Sequence, residues 1–265
     1  MNQSLGIFDS GVGGLTVAAA IRDLLPNESF IYFGDTLHAP YGDKSRRTII
    51  DYSRSIIDFL LDQHCKAIVI ACNSASALAF PQLRKEYPEL LIINVIDPVT
   101  DEVLRRGFRS VGVIATRATI RSKIYSRRLQ QAEVPPQVFS KATPLLAPLI
   151  EEGFANSPVS RSVIEKYLAD ARFPNLEALI LGCTHYPLIQ KDLEAMLKTP
   201  LEIIDSPGLV ARYLARQLEL KQLEANSENV AFQRFYVSEK TPAFNTISQR
   251  FFGEKLALEE RTLSL

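Results

Sequence analysis

The chain has 265 residues, 46% of them hydrophobic and 23% charged, with thirty basic residues against thirty acidic ones. This is the composition of an ordered chain rather than a disordered or fibrous one, its length predicts two lobes, and its zero formal charge gives no global attraction to nucleic acid or an anionic membrane. Three cysteines are too few for a disulfide framework, no apolar run reaches the ~20 residues of a membrane span, and the start at Met1 lacks a secretory leader, so the sequence predicts a cytoplasmic protein with free thiols.

The first predicted strand, Leu5–Phe8, leads into Asp9-Ser10-Gly11-Val12-Gly13-Gly14 and a helix opening near Leu15. Glycine lets the backbone approach a ligand closely, and the helix start offers unpaired amides to a carboxylate or phosphate. A dinucleotide fingerprint would place glycine at position 16, where Thr16 stands. Asp9 suits an amino group or an acid–base relay better than a pyrophosphate, with a helix N-cap as the plain alternative. The second strand, Phe30–Phe33, is followed by Gly34-Asp35 and Pro40-Tyr41-Gly42, whose simplest reading is a turn. Apolar residues at three- and four-residue intervals predict a helix over Arg46–Leu61. The third strand, Ala67–Ala71, ends on Cys72, after which Asn73, Ser74 and Ser76 crowd small donors into a strand-to-helix turn. The fourth strand covers Leu91–Ile96.

The second half takes up the same alternation. Strands are predicted at Ser110–Ile114, Val138–Phe139, Ala178–Leu181 and Leu201–Ile204, and helices at Ile120–Gln131, Ser160–Ala171 and Leu209–Leu220. Pro148-Leu149-Ile150-Glu151-Glu152-Gly153 puts two acids at the end of an apolar segment, which ordinarily marks a solvated end. Ala178–Leu181 runs through Gly182 to Cys183, and Thr184-His185-Tyr186-Pro187 then sets a hydroxyl and an imidazole beside that thiol. The whole pattern predicts an α/β fold of mostly parallel sheets flanked by helices.

Three segments recur at an offset of about 110 residues. Ser4–Phe8 resembles Ser110–Ile114, Ala67–Cys72 resembles Ala178–Cys183, and Ile96-Asp97-Pro98 resembles Ile204-Asp205-Ser206-Pro207. Duplication predicts two pseudo-symmetric lobes, 1–97 with 209–265 and 98–208, whose boundaries fall in loops. Each lobe places a cysteine at the carboxyl end of an equivalent strand, where open α/β sheets bind ligands, and a cleft between the lobes would oppose Cys72 to Cys183. A thiol with a pKa of ~8.5 is only about 3% thiolate at neutral pH, so a helix N-terminus or imidazolium is expected to raise that fraction. Cys65 has no counterpart and reads as an inert buried residue. No CxxC pair or histidine cluster suggests a metal.

Asp9–Gly14, Pro40-Tyr41-Gly42, Cys72-Asn73-Ser74, Pro148–Gly153 and Gly182–Pro187 together resemble the glutamate racemase family over nearly the whole chain. Ser74 stands where that family usually has threonine, and Thr143 where it often has cysteine. The resemblance implies an isomerase acting on L- and D-glutamate without a cofactor, supplying D-glutamate for peptidoglycan, and often homodimeric. It implies Cys72 as the base for D-glutamate, assisted by Asp9, and Cys183 as the base for L-glutamate, assisted by His185. It assigns substrate binding to Asp9, Ser10, Tyr41, Gly42, Asn73, Ser74, Thr184 and His185, with Asp35 and Glu151 in support. An aspartate racemase or related enzyme of the superfamily, and a catalytically silent binding protein, are the competing readings.

Overall fold

The computed structural model describes residues 3–169, 176–197, 201–226 and 230–264. The first half runs β1 (Ser4–Asp9), α1 (Leu15–Leu24), β2 (Phe30–Gly34), α2 (Arg46–Asp62), β3 (Cys65–Ile70), α3 (Asn73–Leu78), α4 (Phe80–Glu86), β4 (Leu91–Asn94) and α5 (Ile96–Arg106). The second runs β5 (Ser110–Ala115), α6 (Arg117–Ser122), α7 (Ile124–Leu129), β6 (Gln137–Ala142), α8 (Leu146–Glu151), α9 (Pro158–Leu168), β7 (Ala178–Gly182), α10 (Gln190–Met196) and β8 (Glu202–Ile204). The chain then continues through α11 (Pro207–Lys221), β9 (Gln233–Val237), α12 (Pro242–Phe252) and β10 (Leu258–Glu260).

Strands β1, β3 and β7 are apolar along almost their whole length because helices cover both faces, as a parallel sheet requires. One sheet has the order β10-β9-β2-β1-β3-β4 and the other β6-β5-β7-β8, with every pairing parallel. The orders β2-β1-β3-β4 and β6-β5-β7-β8 are the same, which is the structural form of the repeat. Register fixes the correspondence: Phe8 pairs with Ile70 as Ile114 pairs with Leu181. Ser10 therefore matches Thr116, and Cys72 matches Cys183.

The third recurring segment does not match. Ile93 pairs with Val69 and Ile204 with Ile180, so Ile204 corresponds to Ile93 rather than Ile96. The predicted strand stops at Asn94, whose Oδ1 accepts hydrogen bonds from the amides of Ile96 (2.9 Å) and Asp97 (3.0 Å) and turns the chain into α5. Asp97-Pro98 and Pro207 open helices rather than lying in loops, because the first helical turn leaves amides unpaired and tolerates proline. The helix predicted over Ile120–Gln131 is two short helices broken at Lys123, whose φ is 55°. The stretch Ser160–Ala171 holds α9 through Leu168, and Ala171 lies outside the described residues.

Strands β9 and β10 were not foreseen. They extend the first sheet beyond β2, with Phe235, Tyr236 and Val237 buried. A continuous apolar core links the sheets through α1, α5 and α11.

Candidate active site

Each sheet ends its central strands in a loop cluster at the carboxyl edge, and the clusters meet. Asp9, the last residue of β1, is 1% exposed; its Oδ2 accepts from the Gly11 amide at 3.0 Å, while Oδ1 has no hydrogen-bond partner among the described residues. Burial raises the Asp9 pKa above its ordinary 3.8, against the nearby charge of His185 and the amides of Gly14, Gly11 and Ser10. Cys72 caps α3, and its Sγ donates to Ser10 Oγ at 3.6 Å.

The Cys72 thiol departs from the sequence expectation. Burial, and secondarily the charge of Asp9, push it up to about 12, although the Ala75 amide and Ser10 hydroxyl favour the thiolate. The thiol lies inside the protein wall, and desolvation outweighs the start of a six-residue helix.

The second thiol has a different setting. Cys183 Sγ lies 3.6 Å from His185 Nδ1, and His185 Nε2 lies 2.7 Å from Glu151 Oε1 at the end of α8. Burial opposes a charged imidazole, yet the hydrogen bonds and charges of Cys183 and Glu151 outweigh it and hold His185 well above the usual range. Glu151 is therefore tied directly to His185 while its side chain stays 40% exposed, and Glu152 is exposed, so the segment end is solvated and Glu151 reaches the site from it.

The remaining predicted residues bridge the sheets. The Tyr125 hydroxyl donates to Asn73 Oδ1 at 2.7 Å, leaving Asn73 Nδ2 without a hydrogen-bond partner among the described residues. Ser74 Oγ lies 2.9 Å from Thr116 Oγ1, and Thr16 donates to the Thr184 carbonyl at 3.3 Å. A Cβ on Gly13 would fall 2.4 Å from Thr184 Oγ1 and 2.5 Å from His185 Nδ1, so only glycine lets this loop approach the second thiol's turn. Gly42 is likewise packed against Thr116. Tyr41 is buried and donates to Asp35 Oδ2 at 2.5 Å. Asp35 touches neither thiol; it holds Tyr41 and, at 2.8 Å, His38 Nδ1. Beside the Asp9 loop, Gly11, Val12 and Ala39 face Glu151, Phe244 and Arg250 across a cavity of about 370 Å³.

Sequence reasoning passed over Thr116, Tyr125 and Thr16. Thr116 was within reach, because the repeat register gives it the place that Ser10 holds. Tyr125 carried no signal, since a tyrosine on a helix more often packs than points.

Cys65 is buried, with Sγ 3.4 Å from Ser4 Oγ, and burial pushes its thiol up to about 11. It meets none of these groups.

The Asp/Glu/Hydantoin racemase family matches residues 15–214. A glutamate racemase of Syntrophus aciditrophicus is 40% identical over 97% of this chain and 95% of its own length. Among solved structures, glutamate racemase from Francisella tularensis in complex with D-glutamate aligns with a TM-score of 0.91 and 35% identity, over 98% of this chain and 97% of that one. The enzyme from Thermus thermophilus in complex with β-chloro-D-alanine aligns with a TM-score of 0.88 and 40% identity over the same shares. A two-sheet α/β fold with this family match defines an amino-acid racemase, an isomerase. The chain belongs to the Asp/Glu/Hydantoin racemase family and, within it, to the glutamate racemases.

Proposed function

We propose that this chain interconverts L- and D-glutamate by a two-base mechanism, using its own side chains and no cofactor, metal or nucleotide. The observation that carries this reading is the placement of Cys72 and Cys183 at matched strand ends of two equivalent sheets whose loops meet, Ser74 against Thr116 and Gly13 against Thr184 and His185. Two lobes, 1–97 with 209–265 and 98–208, hold the substrate between them.

The environments of the thiols suit opposite duties. His185, whose Nδ1 lies 3.6 Å from Cys183 Sγ, assists Cys183 as that sulfur takes the α-proton from L-glutamate. Cys72, kept protonated by burial, delivers a proton to the opposite face and inverts the centre. In the reverse direction Asp9, with its raised pKa, receives the Cys72 proton, and Cys72 acts as base towards D-glutamate. Negative charge developing on the substrate carboxylate is stabilised by fixed donors: the hydroxyls of Ser10, Ser74 and Thr184 and the free amide of Asn73. The unpaired Asp9 Oδ1 is the natural acceptor for the substrate ammonium. Tyr41 and Gly42 complete the pocket on the first sheet.

The relatives' complexes with D-glutamate and β-chloro-D-alanine support an amino-acid substrate here. We further infer that the enzyme works in the cytoplasm as a homodimer and supplies D-glutamate to peptidoglycan. Among the described residues no helix is long and apolar enough to cross a membrane.

The test is a circular-dichroism assay of purified protein with L-glutamate and nothing added. Optical activity should decay to zero, and aspartate should react far more slowly. Activity lost on dialysis and restored by pyridoxal phosphate, or equal catalytic efficiency with aspartate, would contradict the proposal.

A further inference from the structure

Tyr186 and Thr143 are both fully buried, and neither is needed to contact the substrate in the mechanism above. The Tyr186 hydroxyl lies 2.7 Å from Thr143 Oγ1 and donates to the Thr143 carbonyl at 3.1 Å. The same carbonyl accepts the Leu146 amide at 3.1 Å, which places Thr143 at the foot of α8. Glu151 closes the other end of α8 and holds His185. The Tyr186 amide in turn donates to the Cys183 carbonyl at 3.1 Å. A closed circuit results: Cys183 to Tyr186, Tyr186 to Thr143, along α8 to Glu151, then through His185 back to the sulfur.

The first sheet has a parallel arrangement. Register makes Asp35 the counterpart of Thr143, since Phe33 pairs with Phe8 as Lys141 pairs with Ile114. Both residues donate their amides to equivalent carbonyls, Asp35 to Asp9 and Thr143 to Ala115, each at 2.9 Å. Both also hold a buried tyrosine hydroxyl, Tyr41 on Asp35 and Tyr186 on Thr143. Tyr41 on Asp35 is thus the first sheet's counterpart of Tyr186 on Thr143.

We propose that Tyr186 and Thr143 are positioning residues for one half of the reaction, setting the Cys183–His185–Glu151 alignment and therefore proton removal from L-glutamate, not from D-glutamate. This rests on the two-thiol reading. Burial and the Cys183 charge hold the Tyr186 phenol well above its usual range, so it remains a protonated donor throughout the working pH.

Racemisation cannot reveal such an asymmetry, because the enantiomers are equally stable in water and the two directions must share one kcat/KM. Elimination can. On glutamate carrying chlorine at Cβ, a thiolate removes the α-proton, the electron pair forms the Cα–Cβ double bond, and chloride leaves with the C–Cl pair. The enamine tautomerises and hydrolyses to the 2-oxo acid and ammonia, and each enantiomer requires one base only.

The experiment compares Tyr186→Phe with wild type on both enantiomers, alongside Tm. Phenylalanine keeps the ring and loses both contacts of the hydroxyl, so elimination from the L-form should fall about tenfold or more, as small misplacements of reacting groups do, with the D-form unchanged. Thr143→Val should behave alike and Thr143→Ser should retain the wild-type ratio. An equal fall for both enantiomers marks a merely structural role and overturns the proposal, as does no fall at all. Wild-type protein that eliminates from neither enantiomer overturns the two-thiol reading itself, and the positioning role with it.

Discussion

Burial leaves the Asp9 carboxyl in a setting that favours its neutral form, with one oxygen unpartnered among the described residues. Its folded pKa is raised above 3.8, so its contribution to stability is present below that value and is lost as pH rises through the folded pKa. Wherever the carboxyl is ionised, the fold carries a buried charge that it would be more stable without. Asp9→Asn should raise Tm near neutral pH, with a smaller gain in acid, while lowering racemisation by about 10²–10⁴-fold, the range for losing general acid–base assistance. Differential scanning calorimetry across pH with parallel activity assays checks both; a Tm that falls at neutral pH would show that Asp9 stabilises the fold instead. Cys72, Cys183 and His185 were legible in the sequence because chemistry-bearing residue types followed apolar runs. The direction of the Cys72 shift was not, since burial of a loop residue depends on the other half of the chain.

At the scale of elements, the strands β1, β3, β5 and β7 were legible from uninterrupted apolar runs, whereas β9 and β10 are short and mix charged with apolar residues. β9 adds to the free side of β2 and β10 then adds to β9, so each forms because the sheet already offers an unpaired edge, which no local pattern reports. The amino ends of β2 and β3 also bury an ion pair. Lys66 Nζ on β3 lies 2.7 Å from Glu28 Oε2, with the side chains 6% and 4% exposed, and Glu28 Oε1 accepts the Ala225 amide at 2.7 Å. This ties the segment after α11 to the starts of β2 and β3. Lys66→Ala leaves a buried carboxylate unpaired and should cost about 3–5 kcal/mol, whereas Lys66→Met with Glu28→Gln should recover most of it. Urea denaturation measures both; equal losses for the single and double variants would show that packing, not charge, is lost.

Over the whole molecule, the repeat was the most informative feature of the sequence, because matched strand orders follow from duplicated order along the chain. It also misled once, at Ile96, where a shared Ile-Asp pair belongs to a helix in one copy and to a strand end in the other. Contacts between the halves, such as Ser74 with Thr116 and Gly13 with His185, were illegible because they depend on how the sheets face each other. That facing is what would make one thiol serve each side of the substrate. The most direct measurement is elimination from both enantiomers of β-chloroglutamate by Cys72→Ser and Cys183→Ser, with Cys65→Ser as the control that should keep racemising. Both active-site variants should lose racemisation by about 10²–10⁴-fold or more. Cys72→Ser should retain elimination from the L-form, and Cys183→Ser from the D-form. If both variants prefer the same enantiomer, or either racemises glutamate near the wild-type rate, the two thiols do not act as opposed bases.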